Sequence, residues 1–225
     1  VICVAYEGME RFFPKEKILL TGNPIRQNLK KDILDKEKIY KHFSFSKDKK
    51  TLLVLGGSLG ARTINNSLML HFETLINSDI QVVWQTGKFY LKEVEEYVKR
   101  YNFDNIYISD FLSNMAEAYA IADLVISRAG ASSISELCFL EKASLLVPSP
   151  NVSEDHQTYN ALSLVKHQAA VMIKDKEAEE KLVKEALRII NNQVLLENLS
   201  SNISKLALPD AAEKIASEII HLINS

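Results

Sequence analysis

From Thr51 onward one pattern recurs six times: a short, continuous apolar run, a turn, then a stretch with helical spacing. The runs are Thr51–Leu55, Ile80–Gln85, Asn105–Ser109, Asp123–Ser127, Ala143–Val147 and Ala169–Ile173. Runs that are apolar without alternation suit strands buried on both faces. A connection between parallel strands needs a crossover, usually a helix. The pattern therefore predicts an α/β fold, a Rossmann-like doubly wound parallel sheet of about six strands. The intervening helices are expected from the glycine cluster to Ile76, at Phe89–Tyr101, Met115–Ile121 and Ser133–Leu140, at about Asp155–Val165, and onward to about Asn202.

The flanks read differently. Val1–Tyr6 and Ile18–Thr21 are short strand-like runs. Residues 27–50 are rich in Lys and Asp and are expected to form a short helix or two and a loop. The tail opens with Pro209 at a plausible first helical position and carries Ala212, Ile215, Ile219 and Leu222 at helical spacing, so an amphipathic helix is expected.

Composition excludes several classes of partner. The 29 acids and 27 bases leave a net charge of −2, so bulk charge gives no reason to expect nucleic acid or an anionic membrane. The longest stretches without a charged residue, Thr51–Ala61 and Ala143–Ser153, are eleven residues each. A spanning helix needs about twenty apolar residues, so none is expected, and no signal-peptide pattern is present. Cys3 and Cys138 lie in apolar surroundings without metal-ligand spacing and are expected to be two buried thiols. The five histidines do not cluster, and there is no Asp-x-Asp, so neither a metal nor a cofactor is expected.

In doubly wound sheets ligands sit beyond the carboxyl ends of the strands, near the switch point. Four loops are candidates. Gly56-Gly57-Ser58-Leu59-Gly60-Ala61-Arg62 joins a strand to a helix; its glycines let amides approach a ligand, and the helix start favours an anion. It is neither a Walker A loop nor a dinucleotide fingerprint. It does match the Gly-x-Ser-x-Gly nucleophile elbow, for which His156 or His221 would have to serve as the histidine. A ligand-free tight turn is the remaining reading.

Arg128-Ala-Gly130-Ala131-Ser132-Ser133-Ile134-Ser135-Glu136 is a second strand–glycine–helix junction. Its serines can donate hydrogen bonds, and Glu136 can accept two hydroxyls of a ribose. Ser133 and Glu136 also have the spacing of a capping box, a competing structural use. Two such helix starts in one sheet favour a nucleotide with a diphosphate. In the segment Pro148–Asn160, Gln157 and Asn160 share a helix face, and their amides suit sugar hydroxyls. The alternative there is an Asp-type N-cap with a solvated face. Gly22-Asn-Pro-Ile-Arg26 offers either a turn with a surface arginine or an arginine aimed at a phosphate.

Taken in order and spacing, Thr21–Arg26, Leu55–Arg62, Arg128–Glu136 and Asp155–Ala161 resemble the carboxyl-terminal half of the MurG family. These bacterial enzymes transfer N-acetylglucosamine from UDP-GlcNAc to lipid I, making lipid II for peptidoglycan. The resemblance implies the donor-binding half of a GT-B glycosyltransferase. Arg26 and Ser58 would contact the diphosphate, with Gly56, Gly57, Gly60 and Gly130 as phosphate-loop glycines. The amides of Ala131–Ser135 would meet the α-phosphate. Glu136 would hold the ribose hydroxyls. The backbone at Leu112 would pair with the uracil edge, with Phe111 nearby. Gln157, Asn160 and His156 would read the GlcNAc hydroxyls.

The resemblance divides the chain into residues 1–22 (the end of the amino-terminal domain), 23–205 (the UDP-GlcNAc domain) and 206–225 (a helix crossing back to the amino-terminal domain). It further implies an inverting displacement without covalent intermediate or metal. The catalytic base, the lipid I acceptor surface and the membrane contact would lie in the amino-terminal half, at the cytoplasmic face of the inner membrane. Val1 would then enter just before the junction of the halves, and this chain would bind donor but turn over little or nothing alone. The alternatives are the donor-binding subunit of a two-chain GlcNAc transferase, a UDP-GlcNAc epimerase of the same fold, and the Gly-x-Ser-x-Gly serine hydrolase.

Overall fold

The computed structural model describes residues 1–6, 8–26, 29 and 34–224. Part of the 27–50 region, namely 27, 28 and 30–33, lies outside the described residues; the remainder holds helix α1 (Lys36–Phe43).

The six apolar runs all form strands: β3 (Lys50–Leu55), β4 (Ile80–Gln85), β5 (Ile106–Ser109), β6 (Leu124–Ser127), β7 (Ser144–Leu146) and β8 (Val171–Met172). They make one parallel sheet in the order β5-β4-β3-β6-β7-β8. The order runs outward in one direction from β3 and in the other from β6. The switch point therefore lies between β3 and β6, which pair from Leu52↔Leu124 to Leu55↔Ser127. Both carboxyl ends open onto the glycine-bearing loops.

Alternating side chains serve the two faces. Leu52, Val54, Val82, Trp84, Leu124 and Ile126 face α2 (Arg62–Leu70), α3 (Phe72–Ile76), α4 (Leu91–Val98), α8 (Asp175–Ile190) and α9 (Gln193–Ser204). Leu53, Leu55, Val83, Val125 and Leu146 face α1, α5 (Met115–Ile121), α6 (Ala131–Phe139) and α7 (His156–Lys166). The fully buried Trp84 donates its Nε1–H to Asn65 Oδ1 at 2.9 Å, and Asn65 Nδ2 donates to Thr86 O at 2.8 Å. Burying an indole or amide unpaired would cost about 1–3 kcal/mol, so this pair lets a polar link cross the core.

Several expectations are corrected. The helix expected to reach Ile76 is broken at His71, whose φ of −107° and ψ of 23° interrupt the ladder. Pro209 is not a first helical residue; it lies in the turn before α10 (Ala211–Asn224). Cys138 is buried, but Cys3 is exposed, because β1 (Ile2–Val4) and β2 (Ile18–Leu20) pair only with each other among the described residues. Ile219, Ile220, Leu222 and Ile223 of α10 remain exposed.

Candidate nucleotide-binding site

The loops after β5, β3, β6 and β7 share one edge of the sheet, which brings the sequence-derived residues onto a common surface. The loop after β3 is shaped by its glycines. Gly57 and Gly60 have φ of 76° and 91°, the left-handed region open to glycine. A Cβ on Gly60 would stand 2.6 Å from Thr86 O, so the β3 and β4 loops are in backbone contact. Ser58 is exposed, and its carbonyl accepts from the Lys88 N–H. Its hydroxyl bonds no histidine among the described residues, and His221 lies exposed on α10, so the elbow constellation is not assembled.

Helix α6 starts at Ala131 with Gly130 as N-cap and no side-chain cap. The capping-box use of Ser133 and Glu136 is thereby overturned, since Ser133 is the third helical residue and not the cap. The Ile134 N–H bonds Gly130 O and its side chain is buried, so Ile134 belongs to the scaffold. Ser135 Oγ donates to Ala131 O at 3.0 Å and accepts from Asn23 Nδ2 at 3.2 Å. The orphan amides at a helix start are its first few; here they belong to Ala131, Ser132 and Ser133. Tyr6 Oη donates to Ala131 O at 2.7 Å, and burial pushes its phenol up to about 12. The segment before β3 thus grips α6 at its first turn.

Glu136 sits one turn deeper, its side chain 9% exposed. Arg26 donates from Nε to Oε1 at 2.8 Å and from Nη2 to Oε2 at 3.0 Å. Tyr119 Oη donates to Oε2 at 3.2 Å. Hydrogen bonding to Glu136 holds the Arg26 guanidinium more firmly protonated, while burial, followed by the Glu136 charge, pushes the Tyr119 phenol up. Tyr119 is a partner that a sequence reading passes over, because an aromatic in an apolar helix looks like core.

Gln157 and Asn160 do share a face of α7, but they use it to tie backbone. Gln157 Oε1 accepts from Ala129 N at 3.1 Å and Ser149 N at 2.9 Å. Asn160 Nδ2 donates to Ala129 O at 3.1 Å. Together they lock the residue before Gly130 to the loop after β7. Asp155 occupies the N-cap position, yet its carboxylate accepts from Thr158 Oγ1 at 2.6 Å instead of a backbone amide. His156 is exposed at the start of α7.

In the loop after β5, Phe111 is 55% exposed and Leu112 is buried. The Leu112 N–H is taken by Gln85 Oε1 at 3.2 Å, which leaves its carbonyl as the group able to meet a base. The sequence places Gln85 at the end of a strand but does not mark it as a site residue; a polar amide at a strand's carboxyl end is the available signal. A second missed network flanks the site. Arg128 donates to Val147 O at 3.1 Å and pairs with Asp175, which also accepts from Thr63 Oγ1 at 3.0 Å. Among the described residues no group of three or more metal-ligating side chains is assembled, and no helix is long and apolar enough to cross a membrane.

Residues 51–215 match the glycosyltransferase family 28 C-terminal domain. The chain belongs to this family. It is 57% identical over 223 residues to the Bacteroides thetaiotaomicron UDP-N-acetylglucosamine–N-acetylmuramyl-(pentapeptide) pyrophosphoryl-undecaprenol N-acetylglucosamine transferase, covering 98% of this chain and 60% of that protein. It is 56% identical to the Bacteroides fragilis protein of the same name, covering 98% of this chain and 59% of that one. The crystal structure of Acinetobacter baumannii MurG superposes with a TM-score of 0.74 at 24% identity, over 97% of this chain and 59% of that one. That likeness establishes the GT-B glycosyltransferase fold of this family 28 domain. The chain spans about 60% of the length of the curated relatives it matches.

Proposed function

We propose that this chain is the donor-binding part of a transferase that moves N-acetylglucosamine from UDP-GlcNAc to the muramyl 4-hydroxyl of lipid I, giving lipid II. The observation that carries the reading is the pairing, at the β3/β6 switch point, of open amides at α6 with a buried carboxylate one turn deeper. That combination fits an anion next to a diol. The name of the 57% identical relative supplies the sugar and the acceptor class.

In this reading the amides of Ala131, Ser132 and Ser133, with Ser58 and Arg26, face the diphosphate. Gly57 and Gly130, where an added Cβ would meet no close neighbour, keep the approach clear, while Gly56 and Gly60 let the loop after β3 pack against its neighbours. Glu136 accepts from the ribose hydroxyls, and the Leu112 carbonyl accepts the uracil N3–H beside Phe111. The Gln157 Nε2 amide and His156 address the sugar, while Asn160 acts through the Ala129 backbone. The acceptor hydroxyl displaces UDP at C1 with inversion. Helix amides and Arg26 stabilise the charge gathering on the leaving diphosphate, an electrostatic contribution that needs no proton transfer. Residues 23–205 form the nucleotide unit, with 1–22 and 206–225 linking it to the acceptor-binding part. That other part supplies the base and the membrane contact at the cytoplasmic face, so these 225 residues bind donor without turning over.

Calorimetry with UDP, UDP-GlcNAc and UDP-GalNAc tests the reading. UDP and UDP-GlcNAc bind, UDP-GalNAc binds more weakly, and ligand at 100 times its Kd stabilises the fold by about 2.7 kcal/mol. A folded chain that binds none of the three overturns it.

A further inference from the structure

Arg26 and Glu136, assigned above to the diphosphate and the ribose, are bonded to each other. The number of acceptor positions makes this consequential. A carboxylate offers about four lone-pair sites. Arg26 Nε occupies one on Oε1, and Arg26 Nη2 with Tyr119 Oη occupies both on Oε2. One site on Oε1 is left. A vicinal diol held by a carboxylate donates two hydrogen bonds, so one existing partner has to leave.

The partners differ in their freedom to do so. Tyr119 is 2% exposed and lies in the core packing of α5. Glu136 is held in α6 with its side chain 9% exposed, whereas the Arg26 side chain is 51% exposed and sits on the segment after β2. Removing the arginine alone would strand a buried carboxylate, a costly state unless something compensates. A diphosphate at the start of the same helix compensates by giving the guanidinium another charged acceptor able to take two hydrogen bonds.

We propose that Arg26 is a partner-switching, specificity-determining residue: it pairs with Glu136 as observed and transfers to the diphosphate when a nucleoside diphosphate binds. Glu136 is thereby released to the ribose diol, and Tyr119 keeps its carboxylate in position. The inference rests on the nucleotide reading of this site. Its consequence is discrimination against ligands with a ribose but no phosphate. A nucleoside has to break the pair and gives the arginine nothing in return.

The test compares UDP and uridine on wild-type, R26A and R26Q chains, with dissociation constants taken from ligand-dependent melting shifts and folding checked by unliganded melting. The longer R26Q side chain keeps the comparison available if R26A does not fold. Loss of the bidentate contact weakens UDP by about tenfold or more, while removal of the competitor tightens uridine by about threefold. If both ligands weaken alike, Arg26 only supports Glu136, and the switch is overturned. If UDP weakens and uridine does not tighten, Arg26 is a phosphate contact only, and the switch is again overturned. A wild-type chain that is folded but does not bind UDP defeats the nucleotide reading itself, which separates the two failures.

Discussion

Gly87 lies against the backbone of Gly60. A Cβ on Gly87 would fall 2.1 Å from Gly60 N and 2.2 Å from Gly60 Cα, and Gly87 itself has φ of +84°. Two neighbouring strand loops therefore share one van der Waals shell, and the shape of the loop after β3 depends on a residue 27 positions later in the chain. Gly87→Ala meets both a left-handed backbone and a fixed neighbour, so it should destabilise the fold by about 2–4 kcal/mol. Urea denaturation followed by the fluorescence of Trp84 measures this. A loss below about 0.5 kcal/mol would show that the loop contact is not maintained in solution.

Gly130 makes the opposite case. Its φ is −66°, and the nearest atom to an added Cβ is Ser133 Oγ at 3.9 Å. Neither the backbone nor the packing requires glycine there. Gly130→Ala should leave the melting temperature within a degree or two, roughly the effect of less than 0.5 kcal/mol. It should weaken UDP by about tenfold, since the methyl group stands over the helix start that receives the phosphate. Unchanged UDP affinity would remove Gly130 from the site.

Gln157 carries two functions that two substitutions separate. Gln157→Ala leaves the Ala129 and Ser149 amides without their acceptor and should cost about 2 kcal/mol in stability. Because Ala129 leads directly into Gly130, UDP and UDP-GlcNAc should both weaken. Gln157→Glu keeps both acceptor contacts and removes the Nε2 donor. Its stability should be close to wild type, while the ratio of UDP-GlcNAc to UDP affinity falls. Should the ratio hold in Gln157→Glu, the residue acts on the loops alone.

The two thiols should react on separate timescales. Cys3 is exposed, whereas burial pushes the Cys138 thiol up to about 12. A maleimide at pH 7 should label one cysteine quickly and the second only after denaturation. The same burial has a stability consequence with a definite sign. A folded pKa above the unfolded value favours the protonated form, so the contribution of Cys138 is complete below about pH 9 and fades toward pH 12. Tyr6 behaves alike between about 10 and 12. Stability should therefore decline above pH 9, and Tyr6→Phe should reduce the decline above pH 10; an unchanged alkaline profile in that variant would exclude Tyr6 as a source.

The sheet was legible because strands buried on both faces leave a continuous apolar record, and all six runs carry strands at nearly the expected bounds. The break at His71 was not legible, since Leu68, Phe72 and Leu75 keep helical spacing through it. Helix α6 starts at Ala131, two residues before the expected Ser133, because its cap is a glycine that carries no side-chain signal. The site was legible as a set of loops but not as a set of bonds. An amide pair at i and i+3 looks the same whether it meets a sugar or a distant backbone, and Gln157 meets Ala129 and Ser149. In the same way, nothing local to Arg26 reveals that Glu136 is its partner.

The grip of the leading segment on α6 bears on the order in which the molecule can assemble. Tyr6 to Ala131, Asn23 to Ser135 and Arg26 to Glu136 close loops of 125, 112 and 110 residues. The β3-β4-β5 ladder joins consecutive units and requires no such closure. Long-range contacts repay their chain entropy late. A chain leaving the ribosome can thus build half its sheet well before the arginine has a carboxylate to meet. Nucleotide in the medium would then act on the finished molecule, slowing its unfolding while leaving the rate of folding nearly untouched.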